Sequence, residues 1–177
     1  MGRIGRPEEV AAAVVFLAGP GRHLLYRTMS WCQWRRGDEL TEYPMNTVFY
    51  AELPWPEVEA RIAADAPVFL PLGATEQHGR HMALNVDVVL PTAIAARVAA
   101  RVGGLVLPTV GYGNRSQPKT GGGPGFPGTL NLTAHTFSLI LRDLICELYR
   151  QNVRKIVTVN GHYENIGPTI EGIELAP

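Results

Sequence analysis

The stretch "GATEQHGRHMALNVD", Gly73 to Asp87, holds one Glu, two His, one Asp and two Gly in fifteen residues, directly after the apolar run "APVFLPL". Some eighty residues later "NGHYEN" comes after a second apolar run, "KIVTV". Glu76 and His78 are separated by one residue, as are His162 and Glu164. Where backbone leaves a strand, side chains two apart project to the same side, so each pair can turn into one site. Asp87 lies nine residues past His78, where the first turn of a helix would bring a carboxylate back to the same place. Two imidazoles and three carboxylates are more than one catalytic Zn²⁺ takes, since such an ion keeps three protein ligands and an open position. The set therefore suits two divalent ions, which bind and activate a hydroxide held between them. Without thiolates, the donors favour Zn²⁺, Mn²⁺ or a related first-row ion. Taken singly, each residue is an ordinary polar side chain; their pairing at two strand ends is what points to a site. His81 stands beside the cluster but outside the alternation, His135 in a helical first turn faces solvent, and His23 has no cluster around it.

The elements that must position these groups can be read from periodicity. "LPWPEVEARIAADAP" reads as a helix started by Pro54 and Pro56, with Leu53, Val58 and Ile62 on one side, ending before Pro67. "VFLPLG" reads as a strand buried on both faces. Val86 to Val102 is an alanine-rich helix carrying Val89, Ile94, Val98 and Val102, with Pro91 expected in its first turn. "GLVLPTV" is a second strand, and a glycine-rich loop runs from Gly111 to Gly128, long enough to suggest a function. Thr133 N-caps a helix with an apolar stripe of Phe137, Ile140, Leu141, Leu144, Ile145 and Leu148. "KIVTVNGH" is a third buried strand, and "PTIEGIELAP" a helix beginning. This alternation predicts an α/β fold, a three-layer sandwich with a mainly parallel sheet. Such sheets bind ligands at the carboxyl ends of their strands, where both polar clusters fall.

Composition narrows the partners. Lysine plus arginine and aspartate plus glutamate number 16 each, so net charge argues for neither nucleic acid nor an anionic membrane surface. Cys32 and Cys146 stand far apart with no CxxC spacing, which fits a reducing cytoplasm. "AAAVVFLAG" from Ala11 comes after "PEE" and is too short to span a bilayer, so Pro7 to Ala18 reads as an amphipathic helix. The texture changes near Met45, and residues 1–44 read as an extension, a short helix and then irregular chain, before a domain at 45–177.

"LPLGATEQHGRHMALNVDVVLPTAIAARVAARVG", "YGNRSQPKTGGGPGFPGTLNL" and "VNGHYENIGPTIEGIELA" closely resemble the creatininase family, over about Val48 to Ala176. The resemblance implies a Zn- or Mn-dependent dinuclear amidohydrolase that opens the cyclic amide of creatinine to give creatine, in a homohexamer on an α/β core. By position it implies Glu76 and His162 as ligands of one metal, His78 and Glu164 of the other, and Asp87 as the bridge. It further implies that Thr120 and Tyr163 lie against the substrate, Thr120 standing where the family commonly has Ser. The substrate is thus expected to be a small molecule. Other members of the family act on other cyclic amides or on formamides, and the "SQPKTGGG" loop disfavours that alternative.

Two departures qualify the resemblance. The family's chains continue past the counterpart of Pro177, and that further part holds substrate-packing tryptophans and a histidine for proton transfer. The fold is accordingly expected to be incomplete at the C-terminus, with no catalytic acid or base assigned in this chain; an inactive metal-binding fragment is the alternative. At the other end, "GRIGRPEEVAAAVVFLAGP" resembles the C-terminal segment of short-chain dehydrogenases, without that family's Gly-rich loop or Tyr-x-x-x-Lys pair.

Overall fold

The structure is a computed structural model, and it describes residues 47–117 and 123–176. The expected Pro7–Ala18 helix and the extension before Met45 lie outside the described residues. Helix α1 (Trp55–Ala63) starts at Pro54, with Pro56 in its first turn, and leads into β1 (Val68–Leu72). Then come α2 (Val86–Val102), β2 (Leu105–Val106), α3 (Ala134–Arg150), β3 (Ile156–Asn160) and α4 (Ile166–Glu174). The strands form a three-stranded parallel sheet in the order β2-β1-β3.

β1 is central, and all five of its residues are buried. On one face Leu70 and Leu72 pack against Phe137 and Leu141 of α3; on the other Phe69 packs against Ala95 and Ala99 of α2. Val68 belongs to a further cluster with Val58 of α1, Leu105 and Leu148, against which Leu53 and Ile62 rest. Helices on both faces of a parallel sheet give the expected α/β sandwich.

Several elements differ from expectation. β2 is only two residues long, because Pro108 has no N–H to donate, yet Leu107 N and Val110 N still donate to Phe69 and Pro71 carbonyls at 2.9 and 3.0 Å. β3 is not fully buried: it borders the described sheet, and Val157 is 41% exposed. In α3, Leu144 is left at the surface, while Ser138 is fully buried and donates to the carbonyls of Ala134 and of Pro168 in α4. α4 begins at Ile166, earlier than expected, and ends at Glu174.

The largest difference is in α2. Pro91 lies in the second turn of the helix, not the first. Val89, Leu90, Ile94, Val98 and Val102 are all more than two-fifths exposed, and the buried residues are Asp87, Pro91, Ala95 and Ala99. A spacing of four places these on one ridge. The ridge is built of small side chains, so the helix backbone can lie close on the sheet. Proline cannot donate to the carbonyl four residues back, which is that of Asp87. That carbonyl faces two glycines, since a Cβ at Gly73 or at Gly161 would stand 2.5 Å from it. These glycines are required by close approach; neither has a positive φ.

Gly161→Ala should therefore destabilise the chain by about 1–3 kcal/mol, because its Cβ would meet the Asp87 carbonyl and the Pro91 ring. Gly167→Ala, with nothing within 4 Å, should be neutral or slightly stabilising. Urea unfolding of both variants checks the contrast.

Candidate metal centre

The sheet sets the rim of the site. Leu72 pairs with Asn160 in register, and Gly161 N donates to the Leu72 carbonyl at 2.7 Å, so β1 and β3 end level with each other. Glu76 lies four residues beyond one end and His162 two beyond the other. Asp87 is the first residue of the α2 ridge and arrives over the same rim, in a helical first turn where the macrodipole favours a carboxylate.

Glu76, Asp87 and His162 are all buried, and one ligand atom from each lies within 4.8 Å of the others. His162 Nδ1 stands 2.9 Å from Asp87 Oδ2 and 3.4 Å from Glu76 Oε1. His78 Nε2 stands 3.1 Å from the other oxygen of the same carboxylate, Asp87 Oδ1. Asp87 thus faces a different imidazole with each oxygen.

Each imidazole is set by its second nitrogen. His162 Nε2 meets the Asn114 carbonyl at 3.0 Å, and His78 Nδ1 meets the Glu76 carbonyl at 3.1 Å. With Asp87 taken up by a cation, hydrogens on these carbonyl-facing nitrogens would leave the nitrogens facing Asp87 free to offer lone pairs. Histidines that bind metals are oriented in this way. Among the described residues, Glu76 and Asp87 meet imidazoles and one serine hydroxyl but no Lys or Arg. The donor spacings of 2.9–3.4 Å lie close to the roughly 3.3–3.6 Å between the ligand atoms of a tetrahedral ion with bonds of about 2.0–2.2 Å. The residues present fit a divalent cation.

Glu164 is not brought into this group: its Oε2 is 3.4 Å from His162 Nε2, the ring nitrogen turned away from Asp87 and Glu76. Tyr163 is 78% exposed at the mouth, and His81 is exposed away from the carboxylates. Thr120 lies outside the described residues.

Sequence reasoning placed candidate ligands at two strand ends and a functional loop, Gly111 to Gly128, after the third, but did not single out Asn114, Ser116 or Asn165. Fully buried Asn165 donates from Nδ2 to the Gly73 carbonyl at 3.0 Å and accepts from Asn114 N at 2.8 Å. Asn114 Nδ2 in turn donates to the Glu164 carbonyl at 3.0 Å. These amides lace the ends of β1 and β3 to the segment after β2. Ser116, also buried, donates to Glu76 Oε2 at 2.5 Å. The available signals were the final Asn of "NGHYEN" and the "GNRS" within the glycine-rich loop, neither of which looks like a ligand.

Known proteins are similar to this chain. The family model for creatininase, described as creatinine amidohydrolase, matches residues 51–175. The chain belongs to the creatininase family. It is 53% identical over 131 residues to creatinine amidohydrolase from Pseudomonas putida, covering 73% of this chain and 50% of that one. It is 30% identical over 122 residues to a mycofactocin precursor peptide peptidase from Mycobacterium tuberculosis, covering 61% of this chain and 45% of that one. A crystal structure of creatinine amidohydrolase matches with a TM-score of 0.71 at 55% identity, over 73% of this chain and 51% of that one. A Zn–Zn creatininase variant and a Mn creatininase each match with a TM-score of 0.71 at 53% identity, over the same shares. The chain spans about half the length of the curated relatives it matches.

Asn165→Ala would leave the Gly73 carbonyl and Asn114 N–H without their partner. A loss of about 1–3 kcal/mol in urea unfolding is the expected outcome.

Proposed function

We propose that this member of the creatininase family carries the metal-binding part of an amidohydrolase that opens the cyclic amide of creatinine to creatine. Two divalent ions, Zn²⁺ or Mn²⁺, would supply Lewis acidity and an activated water when bound. The observation that carries the reading is the sharing of Asp87 between two imidazoles, the arrangement a bridging carboxylate needs. Asp87 would serve both ions, with Glu76 and His162 completing one ligand set and His78 and Glu164 the other. Glu164 Oε2 stands beside His162 Nε2, the nitrogen turned away from Asp87, so its side chain would have to turn to join His78.

The chain's own residues prepare the chemistry by fixing direction. The backbone carbonyls of Asn114 and Glu76 hold the rings of His162 and His78, so neither ring has to reorient when a cation arrives. Thr120 and Tyr163 are the proposed substrate contacts, and the exposure of Tyr163 leaves it accessible to a small molecule. Creatinine is preferred over a peptide because identity to the creatinine amidohydrolase, at 53%, far exceeds the 30% to the peptidase. A cytoplasmic location belongs to the same proposal, in keeping with the two widely spaced cysteines. No helix of the described residues is long and apolar enough to cross a membrane. The exposed apolar side chains of α2 support a homo-oligomer, a hexamer by analogy with the family.

The test is incubation of the Zn²⁺- or Mn²⁺-loaded chain with creatinine, with creatine measured against a metal-only blank. Creatine above the blank is expected, and Asp87→Ala should abolish it together with metal uptake. Metal uptake without creatine would support the narrower reading of a metal-binding part without activity of its own. Absence of both would refute the proposal.

A further inference from the structure

The described residues of the glycine-rich loop between β2 and α3 approach Glu76 from both sides of the chain segment. On its leading side Ser116, 1% exposed, donates its hydroxyl to Glu76 Oε2 at 2.5 Å. On its trailing side Gly123 lies so close that a Cβ there would stand 3.2 Å from the same oxygen. Thr129 is packed against Gly123, and its hydroxyl accepts from Gln77 N at 3.1 Å, next to Glu76 in the chain. The other oxygen, Oε1, faces His162 Nδ1. The two oxygens of Glu76 therefore have different neighbours, a serine hydroxyl and the proposed metal position.

We infer that Ser116 is a positioning residue for the metal centre. Its hydrogen bond occupies Oε2 and leaves Oε1 as the oxygen that Glu76 presents to a cation. A carboxylate accepting an O–H at this distance is held by a charge-assisted bond, which fixes its rotation as well as its position. Groups that orient ligands in this way typically contribute 10–100-fold to metal affinity. The same bond ties the centre to the loop, since Ser116 is four residues before Thr120. The inference rests on the metal-centre reading above and extends it to a residue that is not itself a ligand.

A merely structural serine would act differently. Its loss would lower the stability of the metal-free chain and leave metal affinity unchanged. The experiment is a Zn²⁺ competition titration against a chromophoric chelator on the wild-type chain and Ser116→Ala, with thermal unfolding of both in chelator and Mn²⁺ EPR as a second readout. Ser116→Ala should bind Zn²⁺ about 10–100-fold more weakly and change the Mn²⁺ spectrum. Ser116→Cys, close in size but a weak donor, should fall between the two, and it serves as the test should Ser116→Ala fail to fold. Wild-type Zn²⁺ affinity in the variant that folds overturns the inference and leaves the metal-centre reading intact. A wild-type chain that takes up no Zn²⁺ overturns both.

Discussion

The close seating of one helix on two glycines is the constraint on which the rest of this site depends. α2 presents a ridge of Asp87, Pro91, Ala95 and Ala99 to the sheet, and its first turns come down on Gly73 and Gly161, where a Cβ would already collide with the Asp87 carbonyl. Only at this depth does a carboxylate on a helix fall between side chains that leave two different strands. The alanines, the proline and the glycines are thus as much a part of the centre as the groups that would touch an ion. Burial supplies the rest: carboxylates and imidazoles held out of water favour each other, or a cation, over solvent.

The parallel sheet explains why distant segments can cooperate. A parallel sheet sends all its strands out on one side, so the continuations of β1, β2 and β3 share an edge although they are separated by most of the domain. β1 supplies Glu76 and His78, β3 supplies His162 and Glu164, and the continuation of β2 supplies Asn114 and Ser116. The contributions differ in kind. Those from β1 and β3 could bind, whereas those from β2 hold the binders in place, the Asn114 carbonyl on one ring and the Ser116 hydroxyl on one carboxylate.

The legibility of these features in the sequence has physical reasons. The α/β alternation, the Thr133 cap and the buried β1 were readable because each rests on local periodicity or a local hydrogen bond. Glu76, His78, Asp87, His162 and Glu164 stood out as candidates because carboxylates and imidazoles announce their chemistry, and the structure groups Glu76, Asp87 and His162. Asn114, Ser116 and Asn165 were not, since an amide or hydroxyl owes its role to its surroundings, and those come from elements about forty residues away or more. The inner face of α2 was hidden for a related reason. Alanine is weakly apolar, so the valine and isoleucine positions dominate the pattern although they point outward. β3 looked buried because its composition is that of an inner strand, and composition does not reveal a strand's place in the sheet.

The level ending of β1 and β3 makes the two halves of the site unequally tolerant of change in chain length. His162 is only two residues from a strand held in register at Leu72 and Asn160, so an insertion at Gly161 would carry the imidazole off the rim. The exposed stretch from Gly79 to Ala83 lies before Leu84, whose carbonyl accepts from Glu76 N at 3.0 Å, so a change of length confined to it leaves that anchor in place. Variation during evolution, and room for engineered segments, should therefore gather between Gly79 and Ala83 and be scarce at Gly161.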